Sequence, residues 1–148
     1  MDTVASKKLT REGAMKVLGA AVDRAQALDG HVSIAVVDDG GHLIAFTRSE
    51  KAELYSIAIA QAKAKSAALT RFPSGKKSPT GNERDDHHAL AITLAAGAGS
   101  FVTIPGGFPI FSEGEIVGAV GVSGAGIKDV EIAQTAAATL GNNSRHQH

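Results

Sequence analysis

The stretch HVSIAVVDDGGHLIAFTR, residues 31–48, decides the fold. Residues 31–38 form a short, nearly continuous β-branched apolar run, which reads as a central strand. Asp39, Gly40 and Gly41 are a turn signal, and residues 42–48 follow as a second strand. A turn this short admits only an antiparallel hairpin, because a parallel partner needs a long crossover. Upstream, Ala14, Val17, Leu18, Ala21, Val22, Ala25 and Leu28 recur at steps of three and four. They predict a helix over residues 10–29 with Thr10 as N-cap and Gly30 just past its end. Downstream, residues 54–71 predict an alanine-rich helix and residues 72–86 a polar loop. Asp85 or Asp86 can cap a third helix running from His87 to about Ala96. Strands are expected at 101–104, 110–112 and 116–122. A last helix starts at Asp129, and 142–148 reads as a flexible polar tail. The whole is a single α+β domain, residues 1–148, with a central antiparallel sheet of about five strands covered by helices.

Composition narrows the function. Fifteen basic and fifteen acidic residues cancel, so no global field favours nucleic acid or an anionic membrane. Aromatic residues are 4% of the chain, too few for stacking on single strands. There is no cysteine, which excludes disulfides and thiolate metal sites and fits a cytoplasmic protein. The start MDTVASKKLT lacks a signal-peptide core, and no apolar run reaches spanning length. No metal site is expected.

Chemistry concentrates in three places. The segment GAVGVSGAG, residues 118–126, follows a strand and opens a helix, so its amides can cradle an anion. Its spacing is not the dinucleotide fingerprint, and its strand belongs to a hairpin. Ser123 also lacks the Gly-x-Ser-x-Gly elbow of hydrolases. Close packing of helix on sheet, or of subunit on subunit, also explains the glycines and is the preferred reading. PGGFP at 105–109 fixes an unusual backbone path. The amides of Gly106 and Gly107 can face a ligand there, or the segment is a structural elbow. In DDHH at 85–88, His87 and His88 can move protons near neutrality. Adjacent helical residues diverge by about 100°, so the two hardly share one metal. Arg48 at a strand end and Lys63 in the alanine-rich helix can each hold a carboxylate or form ordinary ion pairs.

Several segments together resemble one family. They are IAVVDDGGHLIAF at 34–46 with Arg48, SIAIA at 56–60 with Lys63, Ala64, Ser66 and Ala67, PGGFPI at 105–110, and GEIVGAVGVSG at 114–124 with Asp129 and Ala133. This resembles the GlcG/HbpS-like family, which includes the C-terminal domain of PduO-type cobalamin adenosyltransferases, over nearly the whole chain. The resemblance implies a profilin-like α/β/α fold and a homo-oligomer, with haem or a related tetrapyrrole bound in some members and small-acid, diol or aromatic catabolism served by others. Two departures stand out. Relatives commonly carry Arg-Met-Asp and then Gly-Ala where this chain has Arg48, Ser49, Glu50, Lys51 and Ala52. The segment GNERDDHH at 81–88 matches no general family motif. Both make the surroundings more polar and favour a polar small molecule over a purely apolar haem slot.

The preferred expectation is a small-ligand-binding accessory protein that takes haem, with His31, His42, His87 and His88 as candidate axial ligands. Arg48, Glu50, Lys63, His87, His88, Gly106, Gly107, Ser123 and Gly124 are the candidate binding residues. The alternative is a cofactor-independent hydrolase or isomerase of an unstable carboxylated intermediate. There Arg48 grips the carboxylate, His87 or His88 transfers protons, and the glycine amides stabilise an oxyanion. A third reading is a non-catalytic oligomeric module that binds a protein partner.

Overall fold

A computed structural model describes residues 1–141; the tail read above as flexible lies outside the described residues. The elements run α1 (Arg11–Ala27), β1 (Ser33–Asp38), β2 (Leu43–Arg48), α2 (Ser56–Thr70), α3 (Asp86–Ala96), β3 (Gly107–Ser112), β4 (Glu115–Ser123) and α4 (Lys128–Ala137), closed by a 3-10 turn at Ala138–Leu140. The sheet is wholly antiparallel in the order β2-β1-β4-β3. The expected hairpin is present, with Ser33 opposite Arg48 and Ala35 opposite Phe46.

The sheet has four strands rather than about five. Residues 101–104 are not a strand. Side chains meet part of their backbone instead: the Val102 amide and carbonyl meet the Ser66 hydroxyl, and Ser74 Oγ donates to Ile104 O at 2.8 Å. The strand expected at 110–112 begins earlier, at Gly107. That extension carries Pro109 into an edge strand. Gly107 turns both its backbone groups outward, to Ser74, and Pro109 shares that orientation two residues on, where no ladder donor is needed.

Alternation along the strands makes two cores. Ile34, Val36, Val120 and Val122 face α1 and α4 and build a core of ordinary aliphatic side chains. Ala35, Val37 and Ala119 face α2, which answers with Ala60, Ala64, Ala67 and Ala68. This second layer is thin because α2 lies almost on the strand backbone. A Cβ placed on Gly121 would fall 2.1 Å from Ala60 O, and one on Gly107 would fall 2.2 Å from Lys63 O. Gly121 and Gly107 therefore serve close helix–sheet packing, whereas a Cβ on Gly118 or Gly124 would meet the backbone of Val37 or His31 and one on Gly126 would meet nothing within 4 Å. Helix α3 differs from the other helices. Asp85 caps it as expected, accepting from the His88 amide at 2.7 Å, yet none of its eleven residues is buried.

Candidate functional site

The polar residues singled out in the sequence fall into two groups at opposite ends of the sheet, with His87 and His88 apart from both. One gathers at the end of the sheet where β1 starts and β4 ends. Arg48, Ser33 and Ser123 occupy one row across β2, β1 and β4. Arg48 is exposed, as is Glu50 just beyond it, whereas Ser33 and Ser123 are buried. Ser33 Oγ and Ser56 Oγ lie 2.8 Å apart in full burial, a pair that ties β1 to the start of α2. Neither its type nor its spacing gave a signal in the sequence.

Lys63 lies in the same region and is 1% exposed. Its Nζ donates to Val122 O at 2.8 Å and to Asp129 Oδ2 at 3.2 Å. The side chain thus reaches from α2 on one face to the start of α4 on the other. Gly106 makes room for it, since a Cβ there would sit 2.9 Å from Nζ. Burial pushes the Lys63 ammonium below its ordinary range, and Asp129 only partly restores it. The neighbouring amides are engaged as well: Gly107 N–H donates to Ser74 Oγ at 2.8 Å, and Ala125 N–H, just after Gly124, donates to Asp129 Oδ1 at 2.8 Å. Lys63, Asp129 and these amides thus find their partners at this end of the molecule, while among the described residues Ser49 Oγ, next to Arg48, is buried with no hydrogen-bond partner.

His87 and His88 stand on the exposed first turn of α3. No hydrogen bond or ion pair joins either of them to Arg48 among the described residues. His31 is exposed just before β1.

The second group lies at the opposite end, around the β1–β2 turn, and contains a ligand-sized space. A groove of about 470 Å³ is lined by Val37, Gly41, His42, Leu43, Ala58, Gln61, Ala62, Lys65 and Gly99. That volume is within the usual range of small-molecule and cofactor sites. The walls come from the turn, from the outer side of α2, and from the chain after α3. Asp38 organises the turn. Its Oδ1 accepts from the amides of Gly40 and His42, each at 2.9 Å, and lies 3.3 Å from His42 Nδ1. Partial burial opposes ionisation, but these bonds and the imidazole prevail and hold the Asp38 carboxyl below its ordinary value. The His42 side chain is 82% exposed. A neutral His42 that turns an Nδ1 proton to this carboxylate keeps the Nε2 lone pair for a ligand. That is the arrangement of a metal-ligating histidine fixed by a second-shell carboxylate. The stem of Lys65 packs over Gly41, where a Cβ would meet Lys65 Cγ at 2.8 Å. Apolar walls, one oriented imidazole and one lysine suit an amphiphilic ring carrying carboxylates. Among the described residues, no group of three His, Asp or Glu side chains converges as a bare metal site.

Residues 9–138 match the family model described as haem degrading protein HbpS-like. The chain belongs to the HbpS-like family. The GlcG protein of Escherichia coli K12 is 37% identical over 121 residues, covering 78% of this chain and 81% of that one. Among solved structures, a double mutant of HbpS from Streptomyces reticuli superposes with a TM-score of 0.75 at 31% identity, over 95% of this chain and 92% of the other. A complex of PduOC with haem superposes with a TM-score of 0.70 at 27% identity, over 90% and 95%. The family named from the sequence is thus the right one, and one of these solved structures, PduOC, is a complex with haem. No helix among the described residues is long and apolar enough to cross a membrane.

Proposed function

We propose that this chain is a haem-binding accessory protein whose ligand sits in the groove beside the β1–β2 turn. The observation that carries this reading is His42, exposed at the groove with its Nδ1 facing the Asp38 carboxylate. His42 would supply an axial nitrogen, Lys65 would pair with a carboxylate of the ring, and Val37, Leu43, Ala58 and Ala62 would meet its apolar body. Bound haem contributes a redox-active iron. The chain's own part is to hold and orient the ring, to fix the imidazole tautomer through Asp38, and to balance one negative charge through Lys65. The relation to the PduOC–haem complex supports the ligand class. The low aromatic content is no obstacle in an open groove walled by aliphatic side chains.

Titration of haem into the protein, followed in the visible, tests this. A Soret shift saturating at micromolar haem is expected. His42→Ala should abolish the shift or weaken binding at least about tenfold. Asp38→Asn, which leaves the ligand but loosens its support, should cost on the order of tenfold. His87→Ala and His88→Ala should leave the spectrum unchanged. A Soret band insensitive to His42→Ala would sink the assignment.

A further inference from the structure

A second cavity, of about 540 Å³, shares no lining residue with the groove beside His42. Its volume is within the usual range of small-molecule sites. Residues 4–7 of the N-terminal segment, which forms neither helix nor strand, make one wall. Phe111 of β3 and Ile116 of β4 supply apolar surface, while Asp39, Arg71 and Glu115 supply charge. Lys7 lines the cavity too, but its ammonium is paired with Glu113 in the β3–β4 turn.

Two strained backbone positions serve this cavity. Arg71 follows α2 in the left-handed conformation, with φ 60°, where helices ordinarily place glycine. Glu113 has φ 50°. Asp29 is the third non-glycine residue with positive φ among the described residues, and it is not at the cavity. Arg71 is part of the wall, and Glu113 anchors the wall through Lys7. A side chain kept where glycine would relieve the backbone points to a use for that side chain. The Arg71 guanidinium donates from Nη1 to Asp39 O at 2.9 Å and makes no ion pair among the described residues. Its remaining N–H groups can take a carboxylate.

Charge sets the class of ligand. Lys7 and Glu113 cancel, which leaves one guanidinium facing the carboxylates of Asp39 and Glu115, neither of them in an ion pair among the described residues. A simple anion would meet Arg71 with two carboxylates beside it, and a simple cation would leave Arg71 unanswered. A zwitterion answers both signs, with its carboxylate on Arg71 and its ammonium toward Asp39 or Glu115. Phe111 and Ile116 suit an apolar side chain. We propose that this cavity binds an α-amino acid with an apolar side chain, independently of haem.

Isothermal titration of L-phenylalanine into the haem-free protein tests this. Saturable binding at sub-millimolar concentration is expected. Two analogues, 3-phenylpropanoate without the ammonium and 2-phenylethylamine without the carboxylate, should each bind at least about tenfold more weakly. Glu115→Gln should weaken L-phenylalanine binding about tenfold. Arg71→Gly should keep or raise the Tm, because glycine relieves the left-handed backbone, yet bind at least about tenfold more weakly. The analogue comparison uses the wild type alone, so it decides the matter even where a variant fails to fold. No saturable binding of L-phenylalanine, equal affinity for the amine-free acid, or unchanged affinity in a folded Arg71→Gly protein would overturn the proposal.

Discussion

Gly121→Ala should unfold the protein or lower its Tm by about 10 °C or more. The added Cβ would lie 2.1 Å from Ala60 O and 2.5 Å from Ala64 N, both backbone atoms of α2. Neither can yield as a side-chain tip can. To relieve the clash α2 must lift off β4, which opens the alanine layer of Ala35, Ala60, Ala64 and Ala119 along its length. Overpacking of a tight core costs roughly 1–3 kcal/mol and sometimes more. A backbone-on-backbone clash belongs at or above the top of that range. At about 2–4 °C per kcal/mol, a cost of about 3 kcal/mol or more gives the expected drop. Gly19→Ala provides the contrast. Gly19 lies within α1 with nothing near its Cβ position, so the same chemical change should raise stability by about 0.5–1 kcal/mol. Thermal unfolding followed by circular dichroism measures both; a Gly121→Ala protein as stable as wild type would refute the packing role of these glycines.

The second large effect is expected at Lys63. Lys63→Ala leaves Asp129 buried without its ion-pair partner, which should cost about 3–5 kcal/mol. Lys63→Met combined with Asp129→Asn should recover most of that loss. Met fills the space, and Asn can still accept from the Ala125 amide through its side-chain oxygen. The pH dependence carries a further signature. Burial lowers the Lys63 pKa in the folded state below the ordinary value of 10.5, so in that window the unfolded chain binds more protons. This group's contribution to stability must then rise with pH between its folded value and 10.5. Denaturant unfolding of the wild type minus that of Lys63→Met should show the rise. A difference falling with pH across that range would contradict the burial of a charged lysine.

Much of the fold was legible in residues 31–48, because β-branched runs around Asp-Gly-Gly allow little but an antiparallel hairpin. The helices were legible too, through apolar periodicity and the caps Thr10 and Asp85. Residues 101–104 misled, because Phe-Val-Thr-Ile has strand composition. What overrode propensity was tertiary: Ser66 and Ser74 take the Val102 amide and carbonyl and the Ile104 carbonyl that a strand partner would otherwise take. The glycine-rich segments were legible as unusual but not as to cause. Whether an amide faces a ligand or a helix depends on where α2 lies, and α2 comes from a distant part of the chain. Lys63 was singled out, but its partner Asp129 is 66 residues away and no local pattern links them. His42 stood in the sequence as one of four candidate axial histidines. The sequence signal for it was Asp38 four positions earlier, across the turn, an arrangement that becomes a site only when α2 and the chain after α3 supply the walls.

The location of the ligand is the claim on which the functional reading rests, and paramagnetic broadening tests it most directly. Ferric haem is titrated into uniformly ¹⁵N-labelled protein, and the amide signals are followed in ¹H–¹⁵N correlation spectra. Selective loss at Gly41, Leu43, Ala58, Ala62 and Gly99, with Gly106, Gly107 and Gly124 unaffected, is the predicted result. Loss centred on Gly106, Gly107 and Gly124, or no selective loss at all, would contradict the groove beside His42 as the haem site.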